Sequence, residues 1–220
     1  MPETLRHLKL RVALLSIIER WLAGRGAAGS EQFVYWNARD PRRCLSPDVF
    51  VKIGASSEPF DSWKIWERGG PPDVAVEIAS DSDASELRLE EKLERYHELG
   101  VRELARFDGD AAPGARLRVW DRLREDLVER RVEGDTTPCA TFGLHWVVAP
   151  LAGFPCGLRL AADPGGADLL PTGEEAEARA RAGEARARVE AEVAREAEAR
   201  ARAEAERRVA ELEAELAKRR

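Results

Sequence analysis

Two short segments constrain this chain more than any other feature, because each sets an acid inside a run of strand-forming residues. The first is Pro47-Asp48-Val49-Phe50-Val51-Lys52-Ile53, and the second is Pro72-Asp73-Val74-Ala75-Val76-Glu77-Ile78-Ala79. Alternation at a period of two predicts β-strands. In the first, Val49, Val51 and Ile53 share one face, and Asp48, Phe50 and Lys52 share the other. In the second, Val74, Val76 and Ile78 oppose Asp73, Ala75, Glu77 and Ala79. A carboxylate among Val and Ile is costly to bury unless it is paired or coordinated. If the two strands are neighbours, Asp48 and Glu77 can meet at one edge of the sheet.

The flanking segments predict what covers that sheet. Leu8, Val12, Leu15, Ile18 and Leu22 recur at helical spacing, so residues 5–22 read as a helix that Gly24 and Gly26 end. Residues 32–36 read as a short strand, and residues 55–70 as an irregular loop carrying Trp63 and Trp66. Residues 80–85 form a polar turn, with Asp83 and Glu86 placed for a capping box. Leu89, Leu93 and Tyr96 then make a helical stripe that stops at Gly100. A fourth strand is expected over 101–107, and an antiparallel pair over 117–120 and 127–132. Residues 142–160 are apolar but broken by Gly and Pro, and no element is assigned there. The order of helix, strands, helix and strand predicts an α/β (α+β) core, a mixed sheet with flanking helices.

From Gly173 onward the composition changes to Ala, Glu and Arg. These are strong helix formers, and their mixing permits many i,i+4 ion pairs. Val189 with Val193, and Val209 with Leu212 and Leu216, keep a 3–4 spacing along a seam that is otherwise mostly Ala. A lone solvated helix and a homo-oligomeric coiled coil both fit this pattern. The expected organisation is therefore a domain over 1–160, a Pro/Gly-bearing linker over 161–173 and a helical tail over 174–220.

The tail also explains why 35% of the residues are charged, with a formal net charge of −6. An acidic total argues mildly against non-specific nucleic-acid binding, which gathers Lys and Arg against phosphates. It leaves room for a nuclease, since a metal ion can bring the positive charge. Cys44, Cys139 and Cys156 are far apart, with no zinc spacing, and read as reduced thiols. Neither a signal peptide nor an apolar run of about 20 residues is evident. A cytoplasmic protein without a membrane partner is expected.

Hydrolysing a phosphodiester with a metal ion needs converging carboxylates, an aligned water and a positive group at the phosphate. Asp48 and Glu77 are the candidate carboxylates. Lys92, on the margin of the second helix's stripe, can run its stem over apolar surface and project its ammonium into a cleft. Spacing alone leaves the plainer readings open: Asp48 as a turn residue at a strand start, and Lys92 as a solvated charge.

Four ordered blocks add to this. They are Ser46-Pro47-Asp48-Val49-Phe50-Val51, Pro72 to Ser80, Glu91-Lys92-Leu93-Glu94-Arg95-Tyr96, and Leu99-Gly100-Val101-Arg102-Glu103. Together they resemble the Uma-two family of restriction-endonuclease-like proteins across about residues 1–160. The resemblance implies a PD-(D/E)XK nuclease core, Mg2+ or Mn2+ as cofactor and DNA as substrate. It implies Asp48 and Glu77 as metal-binding acids. The lysine usual two residues after the second acid is replaced by Ala79, and the resemblance moves that role to Lys92. Further departures are Arg88, where an Asp is usual, and Leu104-Ala105-Arg106-Phe107-Asp108-Gly109, where an aromatic and apolar strand ending in Asp-Pro is usual. These keep a second reading in play, a nuclease-fold module that binds or assembles through its tail without cleaving. Asp73 is expected to serve the strand entry rather than the metal. His7, on the first helix, is read as a surface or core-margin residue, and Trp63 and Trp66 as loop anchors.

Overall fold

The computed structural model describes residues 4–79 and 86–219, so the polar turn over 80–85 with its Asp83 cap lies outside the described residues. Helix α1 spans Leu5–Leu22, and the Thr4 side chain accepts the His7 amide at its N-terminus. Its C-terminus closes on Ala23, in the left-handed region at φ 46°. Strands follow as β1 (Gly26–Gly29), β2 (Val34–Tyr35), β3 (Cys44–Leu45), β4 (Val49–Ile53), β5 (Trp63–Lys64) and β6 (Val74–Ile78). Helix α2 (Glu86–Leu99) leads to β7 (Glu103–Phe107), β8 (Leu117–Leu123), β9 (Asp126–Arg130), β10 (Thr136–Cys139), β11 (Leu144–Leu151) and β12 (Phe154–Ala161), and α3 covers Gly173–Lys218.

The central sheet has six strands in the order β1-β4-β6-β7-β8-β9. All its pairings are antiparallel except β6 with β7, which run parallel and are joined through α2. A parallel pair needs such a crossover. Mixed α/β architecture with a mixed sheet, flanking helices and a long C-terminal helix is thus the fold. Val49, Val51, Val74, Val76 and Ile78 face α1 and the sheet β10-β11-β12, in one apolar cluster with Leu14, Ile17, Trp146 and Leu158. Phe50, Ala75 and Leu104 face the other way, against Tyr96 and Leu99 of α2 and against Trp63 and Val34 of the small sheet β3-β2-β5. Trp63 is fully buried and its indole donates to the Gly70 carbonyl, so it anchors the 55–70 loop.

The glycines after α1 do more than end a helix. A Cβ on Gly26 would stand 2.5 Å from the Lys52 carbonyl oxygen, and one on Gly29 would stand 2.3 Å from the Phe50 ring. Glycine therefore lets β1 lie close against β4. The apolar stretch 142–160, given no element above, is largely the β11–β12 hairpin, whose strands pair antiparallel from His145 with Ala161 onward. Residues 161–173, read above as a linker, fold back on that hairpin. The Leu170 amide donates to the Leu160 carbonyl, and the Asp163 carboxylate caps the amides of Gly165 and Asp168.

Chain contacts divide the protein into Met1–Gly173 and Glu174–Arg220. The second unit is helical with no buried residue along α3, and pairs such as Arg200 with Glu196 support it at i,i+4. No helix among the described residues is long and apolar enough to cross a membrane.

A buried carboxylate ties the two larger sheets together. Glu103, at the start of β7, is 1% exposed. It accepts from the Thr141 amide at 3.0 Å, the Thr141 hydroxyl at 2.8 Å and the Trp146 indole at 2.9 Å, and Arg130 stands 3.8 Å away. Removing it leaves three donors facing apolar surroundings. Glu103→Ala is expected to lower unfolding free energy in urea by about 3 kcal/mol. Trp146→Phe, which removes one donor and little volume, is expected to cost about 1 kcal/mol.

Candidate functional site

The site begins with register. β4 pairs antiparallel with β6 through Val49 with Val76, Phe50 with Ala75 and Val51 with Val74. One residue further on, the same register sets Asp48 opposite Glu77. Directly opposed residues project from the same face of a sheet, so two acids share one end of the β4–β6 pair. Both are buried.

Each carboxylate is held in a different way. Asp48 Oδ2 accepts the Ile78 amide at 2.6 Å, which pins the strand ends together. Asp48 Oδ1 lies 3.2 Å from His7 Nε2, and the same nitrogen lies 3.1 Å from the Ile78 carbonyl oxygen. Both of those oxygens only accept, so the shared hydrogen belongs on Nε2. Behind Asp48, its own carbonyl accepts from Ser30 Oγ at 2.7 Å, and Ser30 accepts from Arg11 at 2.7 Å.

Glu77 is gripped by α2. Lys92 and Tyr96 are four residues apart, one helical turn, so both side chains lie over the same spot. Lys92 Nζ stands 2.7 Å from Glu77 Oε2, and the Tyr96 hydroxyl donates to Oε1. Lys92 keeps 30% of its side chain exposed while its ammonium reaches the acid. Burial pushes the Glu77 carboxyl up from its ordinary value to about 6. The Lys92 charge opposes that rise, and the nearby Asp48 charge adds to it.

The structure thus brings Asp48, Glu77 and Lys92 together. Asp73 takes no part: it accepts the Ile53 amide at 2.9 Å and pairs with Lys52 at 3.2 Å, at the other end of β6. Two contributors escaped the sequence reading. His7 was placed at a surface or core margin but reaches Asp48. Tyr96 was counted as one apolar residue of a stripe, although a buried phenol needs a partner for its hydroxyl. That need, with Lys92 one turn earlier, was the available signal.

Among the described residues, no group of three or more His, Cys, Asp and Glu side chains is arranged to hold a metal ion. The donor set near the acids is two carboxylates, whose oxygens each retain a lone pair beyond the bonds above. Their proximity already raises the Glu77 pKa, and a cation would offset that repulsion. Two carboxylates suit Mg2+, which commonly keeps several waters and takes one or two protein acids.

Comparison with known proteins gives three results. A family profile described as Uma2, "Putative restriction endonuclease", matches residues 1–163. A crystal structure from Anabaena variabilis, described as "a putative nuclease belonging to DUF820", is similar at 18% identity and a TM-score of 0.47, over 64% of this chain and 75% of that one. No curated protein shows significant similarity.

The raised Glu77 pKa has a measurable consequence. An acid whose folded pKa lies above its unfolded value of 4.5 stabilises the fold fully below pH 4.5 and loses that contribution as pH rises through about 6. The span corresponds to about 2 kcal/mol. Urea titrations from pH 4 to 7 should show this loss, and Glu77→Gln should remove it from the profile. Because Lys92 lowers the Glu77 pKa, Lys92→Ala should move the Glu77 carboxyl resonance in a 13C NMR titration to a midpoint above 6.

Proposed function

The chain belongs to the Uma2 family, described as "Putative restriction endonuclease", and on that footing we propose that it is a metal-dependent endonuclease hydrolysing DNA phosphodiester bonds. The observation that carries the reading is the convergence of two register-opposed acids with a lysine bonded to one of them. Asp48 and Glu77 are the residues that would hold Mg2+ or Mn2+. When bound, the ion supplies Lewis acidity at a phosphate oxygen and lowers the pKa of a water.

The chain's own groups have separate tasks. Asp48 is fixed by the Ile78 amide, so its carboxylate meets substrate without first being ordered. Tyr96 and Lys92 orient Glu77 from two directions. Lys92, part exposed and mounted on a long stem, is placed to stabilise charge developing on the phosphate. Glu77 must be ionised to hold a cation, so the apparent affinity for Mg2+ should fall as pH drops below about 6.

Purified protein with Mg2+ or Mn2+ is expected to nick supercoiled plasmid, and EDTA to stop it. Glu77→Gln and Lys92→Ala should each lower the nicking rate by at least about 100-fold, with circular dichroism unchanged. Equal rates in wild type and both variants would rule out this mechanism.

The tail supports a second, separate proposal: self-association. Val209, Leu212 and Leu216 keep 3–4 spacing on α3 and are more than half exposed. A second copy of the same seam is the partner their spacing fits. Sedimentation equilibrium should find the full chain oligomeric and a chain ending at residue 173 monomeric. The same assembly state in both would defeat it.

A further inference from the structure

The row of side chains that begins with the two acids continues across the sheet. Parallel pairing sets Glu77 beside Arg106, and antiparallel pairing sets Arg106 beside Arg118. Opposed residues share a face, so Asp48, Glu77, Arg106 and Arg118 form one line over β4, β6, β7 and β8. Acids occupy one end and guanidiniums the other. Strands are about 4.8 Å apart, which puts Arg106 one strand step from Glu77.

Helix α2 lays a second line over the first. Arg88, Lys92 and Tyr96 follow one another at intervals of four, and all three line a pocket with Glu77, Arg106 and Trp120. Three cationic side chains therefore line one pocket with a carboxylate that Lys92, of the three, is seen to touch, in a chain whose formal charge is −6. Arg106 is the telling member. It sits in a strand whose neighbours Ala105 and Phe107 are fully buried, and only 15% of its side chain is exposed. Its ion pair with Asp108 is long, at 3.5 Å, and no other protein acceptor for its guanidinium occurs among the described residues. A guanidinium has five donors, and among the described residues none of those on Arg106 is both buried and unpaired, so the donors that Asp108 leaves over are open to a ligand. Arg118 is committed elsewhere, with two bonds to Glu129 at 2.7 and 2.9 Å and its guanidinium over the Trp120 ring.

The geometry points to Arg106 and Arg88 as a binding subsite for a nucleic-acid phosphate next to the one at Asp48, Glu77 and Lys92. This rests on the nuclease reading for its substrate and extends it by assigning a second phosphate contact. Arg106 supplies a fork from the sheet, and Arg88 lines the same pocket from one helical turn before Lys92. A planar guanidinium binds two phosphate oxygens side by side, so lysine is a poor replacement at position 106.

The test is binding of a fluorescent 20-nucleotide single-stranded oligodeoxynucleotide in EDTA, between 50 and 200 mM KCl. The proteins are wild type, Arg88→Gln, Arg106→Gln, Arg106→Lys and, as control, Arg124→Gln on the β8–β9 turn. Each phosphate contact contributes about 0.7 to the slope of log K against log salt. Arg88→Gln and Arg106→Gln are each expected to lower the slope by about that amount and to weaken binding several-fold. Arg106→Lys should keep the slope yet lose affinity, and Arg124→Gln should match wild type. A neutral methylphosphonate placed beside the cleaved linkage should weaken wild type but leave Arg106→Gln unchanged. Should Arg106→Gln not fold, Arg88→Gln and the methylphosphonate series decide the matter. Wild-type slopes in both glutamine variants of a DNA-cleaving protein overturn the subsite and leave the nuclease reading standing. Arginine-dependent binding without cleavage in Mg2+ or Mn2+ overturns the nuclease reading and leaves the subsite. No oligonucleotide binding by folded wild type overturns the subsite.

Discussion

The carboxylate of Glu77 is the group around which the first unit is arranged. Placed near the end of a Val-rich strand and buried there, it loses water on folding and must be compensated by the protein. Compensation comes from α2, through an ammonium and a phenol one turn apart. That requirement fixes how α2 lies on the sheet, since both Lys92 and Tyr96 must reach one acid. The crossover from β6 to β7 then follows, because α2 is the connection between them. Compensation is incomplete: the Glu77 pKa stays raised, with Asp48 contributing to it. A pair of acids that still repel one another is chemically available to a cation.

Glu103 shows what a fully structural acid looks like in the same sheet. It sits beside Val74 across the parallel pairing, three residues before the neighbour of Glu77. By alternation it faces the opposite side, toward β11. Three donors and a nearby arginine meet it there. Its carboxylate fastens one sheet to another, away from any cation-lined pocket. Two glutamates on adjoining strands thus differ in role through the face they occupy and the donors that face supplies.

The periodic elements were legible in the chain. Residues 5–22 form α1, but the buried face runs through Leu10, Leu14, Ile17, Ile18 and Leu22 and leaves Leu8 and Val12 of the expected stripe exposed, while the two acid-bearing segments form β4 and β6. Asp48, Glu77 and Lys92 were selected because charges in or beside apolar stripes need an explanation. Strand β1 was not legible, because Gly26 and Gly29 carry no side-chain pattern and serve close backbone approach instead. The β11–β12 hairpin was hidden by Gly and Pro inside apolar strands, where local propensity argues against pairing that the sheet nevertheless makes. His7 and Arg106 escaped for a different reason: each earns its place from a partner remote in the chain.

What the sequence determined alone is local: which segments alternate, which turn every 3.6 residues, and which charges sit where water is scarce. It also determined the alanine-, glutamate- and arginine-rich helix after residue 173, since propensity and i,i+4 pairing act within a few residues. Tertiary structure decided the rest. Strand register put Asp48 opposite Glu77, α1 brought His7 to Asp48, and the β6–β7–β8 pairing aligned Arg106 and Arg118 with the acids. Those meetings depend on which strands neighbour one another and at what offset. A one-residue slip would turn each of these side chains to the other face, and only the packed core of the whole sheet prevents it.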